Sequence, residues 1–383
     1  MNPKKSSQTI VIAAGGTSGH IYPAFAIASA IREALPSVSF IFCGAAGGLE
    51  QSMVESEGYT FRPIPAQNMP HRKDRRYFSW AWKNMTGVLK SRSLLKEEAP
   101  LLVIGTGGFV SAPLIAAARC MKIPYILHEQ NAVPGRANRL FARRAQAVFI
   151  SYESSRVHLP EKGRIIFSGN PVRPLFLELD RARARETLGL GEEIFLIMAM
   201  GGSLGSRTIN TAFAHMDDEG GWTALMARYP RLRLVISTGV QSSVDCAGEI
   251  AALPGVLEAE PFFHDAPYWI AACDLFIGRA GAMTCAEISS QGKPSVLIPF
   301  PHAVDDHQTE NARAMEEAGA SLVLSDEEFN SRRLLEILEH LIARPDLLQA
   351  MSESAHRWAT PDAAAVIAGT VASAVEKDEM AKF

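Results

Sequence analysis

The sequence is poor in several features that would make common readings easy. Its five cysteines, Cys43, Cys120, Cys246, Cys273 and Cys285, are scattered and form no C-x-x-C pair, so neither a disulfide framework nor a zinc cluster is indicated, and a reducing compartment fits. No sign of charge dominates: 38 Lys and Arg against 41 Asp and Glu leave a formal net charge of −3. A surface built throughout for nucleic acid needs a strong positive field, so any basic site here must be local. Long apolar runs are also missing. The run from Thr9 to Ala14, behind Lys4 and Lys5, imitates a signal peptide but is short and passes straight into glycine; it reads as a first strand. Leu101 to Ala118 lacks charge, yet Gly105, Gly107, Gly108 and Pro113 divide it into strand, loop and helix, so no transmembrane segment is expected. No Gly-Lys-Ser/Thr triplet follows any glycine turn, and the first turn is not G-x-G-x-x-G, which weakens the ATPase and standard dehydrogenase readings.

What is present is an α/β pattern. With 383 residues, 47% of them hydrophobic, the chain exceeds what one core usually organises, and two domains are expected. Short apolar runs rich in β-branched residues alternate with longer helical patterns, which predicts parallel sheets covered by helices on both faces. Four such runs end in a glycine-rich turn and then open a helix: Thr9 to Pro23, Leu101 to Ala118, Ile194 to Asn210, and Asp274 to Gln291. They fall in both halves, so two doubly wound, Rossmann-like domains are predicted. Pro171 and Pro174 within Gly169-Asn170-Pro171-Val172-Arg173-Pro174 interrupt helix and strand alike and place a linker there. The expected domains are 1–172 and 173–357, with a last helix at about 358–383 that could return to the first.

A glycine turn at a helix N-terminus offers unpaired N–H groups and the positive end of a dipole, a cradle for a diphosphate. Each turn taken alone could equally serve tight strand-to-helix packing. His20 follows the first turn at the start of a helix; it could be a general base, since neutral imidazole is suited to taking a hydroxyl proton near pH 7, or it could simply pack the helix. Glu287, one turn into the helix after Gly278-Arg-Ala-Gly281, could accept two vicinal hydroxyls or compensate the helix dipole. The polar run after a strand ending at Pro299, from His302 to Asn311 with Gln308, suits sugar hydroxyls. Asp305 and Asp306 could suggest a metal, but adjacent carboxylates on an extended segment point apart, and none is expected. The segment from His71 to Lys83 carries Arg75 and Arg76 ahead of Tyr77, Phe78, Trp80 and Trp82. It suits an anionic lipid surface, or it is a helix with a buried aromatic face.

Together the motifs Gly15-Gly-Thr-Ser-Gly-His20, Gly105-Thr-Gly-Gly-Phe-Val-Ser-Ala-Pro113, His128-Glu-Gln-Asn131, Gly169-Asn-Pro-Val-Arg173, Gly201-Gly-Ser-Leu-Gly-Ser206 and Gly281-Ala-Met-Thr-Cys-Ala-Glu287 with Gln308 closely resemble the peptidoglycan N-acetylglucosaminyltransferases of inverting glycosyltransferase family 28. The match runs through nearly the whole chain in order. The resemblance implies a two-domain GT-B fold, with acceptor in the N-terminal and donor in the C-terminal domain. It implies transfer of N-acetylglucosamine from UDP-N-acetylglucosamine to lipid I, forming lipid II, with no obligatory cofactor or metal. Ser203, Phe263, Ala282, Met283, Thr284, Cys285, Ala286 and Gln308 would surround the nucleotide sugar, with Glu287 on the ribose and Arg173 and Asn131 reaching the donor across the cleft. Thr17, Ser18, Gly19, Gly107 and Gly108 would hold the acceptor diphosphate, and His20 matches the family's proposed base. The implied location is peripheral, on the cytoplasmic face of the bacterial inner membrane, with its anionic surface and other cell-wall synthesis proteins as partners and no nucleic acid.

Three positions depart from that pattern. Ser18 stands where glycine is usual, Leu204 where glutamine is usual, and His307 where a second glutamine is common. These are expected to tune affinity. The rival readings are a related GT-B enzyme with another lipid or small-molecule acceptor, a UDP-sugar epimerase, and a non-catalytic nucleotide-sugar-binding scaffold.

Overall fold

The computed structural model describes residues 8–15, 18–45, 49–70, 76–241 and 244–376. The chain divides into two compact units, Met1–Arg173 with Thr360–Phe383, and Pro174–Ala359.

The first unit is built on a parallel sheet of seven strands: β1 (Thr9–Ala13), β2 (Ser39–Gly44), β3 (Thr60–Pro63), β4 (Leu102–Gly105), β5 (Tyr125–Glu129), β6 (Ala147–Ile150) and β7 (Ile165–Phe167), in the order β3-β2-β1-β4-β5-β6-β7. Parallel neighbours need crossovers, and the intervening helices cover both faces, so the central strands carry unbroken apolar runs. In β1, Ile10 and Ile12 enter one core cluster and Val11 and Ala13 the other, as side chains alternating across a strand must. The chain returns to this unit at its end. The helix Ala363–Glu376 packs beside the helix Ser18–Ala34 and gives Ile367, Ala368 and Val371 to the Ile10/Ile12 cluster.

The second unit repeats the design with six strands: β8 (Phe195–Met200), β9 (Leu232–Ser237), β10 (Val256–Glu260), β11 (Leu275–Gly278), β12 (Ser295–Leu297) and β13 (Ser321–Val323), in the order β10-β9-β8-β11-β12-β13. Its core joins Ile197, Ala199, Leu234, Ile236 and Ile277 to Trp222, Phe213 and Leu338. β12 closes two residues before Pro299, although the Ile298 N–H still donates to the Gly278 carbonyl; Pro299 has no N–H with which to continue.

In each sheet the winding direction reverses once, between β1 and β4 in the first and between β8 and β11 in the second. At such a switch point, adjacent loops leave the carboxyl ends of the strands in opposite directions and open a crevice, where open α/β sheets bind ligands. All four glycine turns singled out in the sequence lie at these two points. Among the described residues no helix is long and apolar enough to cross a membrane.

Candidate active site

At the first switch point, β1 leads to the helix Ser18–Ala34 and β4 to the helix Gly108–Met121. Gly107 and Gly108 have φ of 90° and 74°, in the left-handed range. The reason for glycine is also steric. A Cβ on Gly108 would strike the Gly15 carbonyl oxygen and lie 3.1 Å from His20 Cδ2, and one on Gly107 would lie 3.1 Å from His20 Nδ1. The imidazole of His20, in the first turn of its helix, is thus walled by the neighbouring loop. Thr106 Oγ1 donates to the His20 carbonyl at 2.8 Å and ties the two loops together.

The end of β5 supplies the third side of this site. Glu129 is buried and accepts from the Asn131 N–H at 3.0 Å, Asn131 Nδ2 at 3.3 Å, the Gly135 N–H at 2.8 Å and Asn138 Nδ2 at 2.8 Å, which fixes Asn131. Gln130 Oε1 lies 3.2 Å from His20 Nδ1, and its Nε2 lies 2.8 Å from the Thr106 carbonyl and 2.9 Å from His128 Nδ1. His128 Nε2 in turn lies 3.2 Å from the Gly169 carbonyl. Burial pushes the His128 pKa down to about 4, against the Gly169 hydrogen bond and with help from His20 nearby, so this imidazole is neutral at neutral pH. Asn170 Nδ2 donates to the Gln130 carbonyl at 2.9 Å, and the Arg173 guanidinium sits 4.4 Å from the centre of the Tyr22 ring.

At the second switch point, the turn after β8 has Gly202 and Gly205 at φ of 89° and 91°, and Ser206 caps the helix Arg207–Ala214 by accepting from the Ile209 N–H at 3.3 Å. Ser203 and Leu204 are exposed on this turn. Beyond β11 the helix Ala282–Ser290 begins directly after Gly281, so the amides of Ala282, Met283 and Thr284 form its first turn, at the positive end of the helix dipole. Glu287 is the sixth residue of that helix rather than a first-turn residue. Dipole compensation therefore does not account for a carboxylate only 8% exposed. Gln308 belongs to the helix His307–Glu317 rather than to a loop, and its Oε1 accepts from the Phe300 N–H at 3.0 Å, which orients the amide; His307 Nδ1 donates to the Val304 carbonyl at 2.7 Å.

Most of the residues expected around the donor are buried, Ala282 and Met283 as much as Glu287. Cys285 is 0% exposed, Ala286 is buried, and the ring of Phe263 is buried against Trp269. Arg279 is a residue that sequence reasoning missed. Buried after β11, it donates to the Ile298 and Pro299 carbonyls at 3.0 Å and to Ser206 Oγ at 2.6 Å, and pairs with Asp326 at 2.6 Å, joining the loops that follow β8, β11, β12 and β13. Its only signal was an arginine inside a glycine turn. Gln130 and Thr106 were missed likewise, although both stand within quoted motifs.

Thr17 and Arg75 lie outside the described residues, as do the side chains of Ser18 and Arg76. The helix Arg76–Glu98 leaves Phe78 83% and Trp82 71% exposed, with Tyr77, Met85 and Leu89 also exposed; Trp80 is half-buried, its ring 5.1 Å from that of Tyr77. Phe78, Trp82, Met85 and Leu89 are spaced four, three and four residues apart and form one stripe. Among the described residues no group of three or more His, Cys, Asp or Glu side chains could hold a metal ion.

Residues 10–150 match the glycosyltransferase family 28 N-terminal domain and residues 196–367 the glycosyltransferase family 28 C-terminal domain. The chain is 36% identical over 380 residues to the UDP-N-acetylglucosamine--N-acetylmuramyl-(pentapeptide) pyrophosphoryl-undecaprenol N-acetylglucosamine transferase of Moorella thermoacetica, covering 96% of this chain and 99% of that protein. It is 35% identical over 360 residues to the protein of the same name from Desulforudis audaxviator, covering 92% and 95%. The crystal structure of MurG from Acinetobacter baumannii matches with a TM-score of 0.72 and 25% identity over 95% of this chain and 99% of that one.

Proposed function

This chain belongs to glycosyltransferase family 28, and from that premise we propose that it transfers N-acetylglucosamine from UDP-N-acetylglucosamine to undecaprenyl-pyrophosphoryl-N-acetylmuramoyl-pentapeptide, with inversion. The first unit takes the lipid-linked acceptor and the second takes the donor. His20 is the general base: the acceptor hydroxyl oxygen attacks the anomeric carbon, the bond from that carbon to UDP breaks in the same step, UDP leaves with the electron pair, and the hydroxyl proton passes to the imidazole. Gly19, Gly107 and Gly108, with Thr17 and Ser18, hold the acceptor diphosphate. Ser203 and the amides opening the helix Ala282–Ser290 hold the diphosphate of the donor and stabilise the charge that develops as UDP departs. Glu287 takes the ribose hydroxyls and Gln308 the sugar. The stripe of the helix Arg76–Glu98, with Arg75 and Arg76 at its start, rests on the anionic cytoplasmic surface of the inner membrane, where the acceptor is anchored.

The observation that carries this reading is the imidazole of His20, set at a sheet's switch point against two glycines and held by Gln130. Purified protein given labelled UDP-N-acetylglucosamine and a lipid I analogue should release UDP and label the lipid together, and His20→Ala should lose about 10²-fold or more in turnover while keeping UDP binding. Donor binding without lipid labelling would sink the assignment, and undiminished turnover in His20→Ala would remove that residue from the role of base.

A further inference from the structure

We propose that Gln130 is a positioning residue that selects the tautomer of His20, and that His128 and the Thr106 carbonyl select the orientation of Gln130. The proposal rests on His20 as the general base and deepens that reading.

Two atoms around Gln130 have a fixed hydrogen-bonding character. A backbone carbonyl oxygen only accepts, so the side of the Gln130 amide 2.8 Å from the Thr106 carbonyl must be its NH2. That places the amide oxygen toward His20, 3.2 Å from Nδ1. An amide oxygen also only accepts, so Nδ1 of His20 carries the proton. In the neutral ring the lone pair is then on Nε2, the nitrogen that takes the acceptor's proton. The second NH of Gln130 faces His128 Nδ1 at 2.9 Å, which must therefore accept, and His128 Nε2–H donates to the Gly169 carbonyl at 3.2 Å. A protonated His128 would turn an N–H toward the Gln130 NH2, donor against donor. The burial that holds His128 neutral thus keeps the relay in one arrangement.

Each member is also immobilised. Gln130 is 2% exposed, and Gly107 and Gly108 bring the backbone against the imidazole of His20. A free imidazole interconverts its tautomers, and a base that spends its time with the proton on the wrong nitrogen is idle for that fraction. Orientation by a partner on the far ring nitrogen removes the loss.

The direct test is nitrogen-15 histidine NMR on the full chain, with the His20 signals assigned by their absence in His20→Gln. Nδ1 should resonate as a protonated nitrogen and Nε2 as one bearing a lone pair; the opposite pattern overturns the proposal without any variant of Gln130. In Gln130→Met the fixed tautomer should be lost and kcat should fall about 10- to 100-fold, with the KM for UDP-N-acetylglucosamine within about twofold of wild type. Gln130→Glu keeps an oxygen toward Nδ1 and, when protonated, a donor toward Thr106, so it should restore the tautomer and part of kcat. A Gln130→Met protein that keeps both the tautomer and kcat overturns the proposal. If instead the tautomer is as assigned but His20→Gln turns over normally, the general-base reading falls while the role of Gln130 in fixing the ring stands.

Discussion

His128 sits at the end of β5 with its ring enclosed, so protonating it means charging an imidazole away from water. The folded chain takes up that proton only near pH 4, the unfolded chain near 6.5. Between these values the unfolded state holds the extra proton, so the folded state is destabilised as pH falls through this window. The contribution is complete above the unfolded value and amounts to roughly 3 kcal/mol. Comparing wild type with His128→Gln in urea at several pH values isolates this term from other titrating groups. The stability difference between the two should shrink by about that amount from pH 7 to pH 4; a difference constant in pH would mean that His128 is not held neutral by burial. At this scale the sequence revealed residue types more readily than partners. The placement of His20 at a helix start was legible from the glycine turn before it, and that of Glu287 inside a helix from the turn ending at Gly281. Gln130 was not, because its partners Thr106 and His20 are brought beside it only by the sheet order.

The helix Arg76–Glu98 carries four aromatic residues in its first two turns. From the sequence its aromatic residues fit equally a buried face or an exposed one, since a helical stripe does not say what it faces. The structure leaves Phe78, Trp82, Met85 and Leu89 uncovered, while Ser91 and Leu95 turn inward. The same exposed face continues into Arg92 and Lys96, so the stripe runs from apolar to basic along the helix. Such a face suits a lipid surface, with rings in the headgroup boundary and cations on phosphates. Because the side chains carry no core packing, Phe78→Ser with Trp82→Ser should change stability by less than about 1 kcal/mol. Losing two aromatic contacts should weaken co-sedimentation with anionic vesicles by about tenfold or more. Arg92→Gln with Lys96→Gln should weaken it mainly at low salt, where a charge term is least screened. Unchanged vesicle binding in both variants would assign the stripe to something other than lipid. The glycine-turn strands were the elements best read in advance: a buried apolar run, a turn that tolerates left-handed φ, and a helix leave few alternatives at Gly107 or Gly202.

For the molecule as a whole, alternating strands and helices announced two doubly wound sheets, and left the return of the last helix to the first of them as an option without a physical ground. An apolar stripe such as Ile367, Ala368 and Val371 complements any open face of either sheet, and composition carries no address. The structure places it on the first unit, in the cluster of Ile10, Ile12, Phe42 and Ile104, which shares no residue with the core around Trp222 and Ile236. The stability of the first unit therefore depends on chain that is made only after the second unit is complete. Truncating buried aliphatic side chains costs their transfer free energy and leaves a cavity, so Ile367→Ala with Val371→Ala should destabilise the first unit by about 4 kcal/mol. Because the two cores are separate, the loss should not spread. Hydrogen exchange followed by mass spectrometry can read the units apart. Protection should fall in peptides from β1, β2 and β4 and hold in those from β8, β9 and β11. Equal loss across both sets would mean that the final helix supports the second unit as well, and unchanged protection in β1 would mean that it adds nothing to the core it lies on.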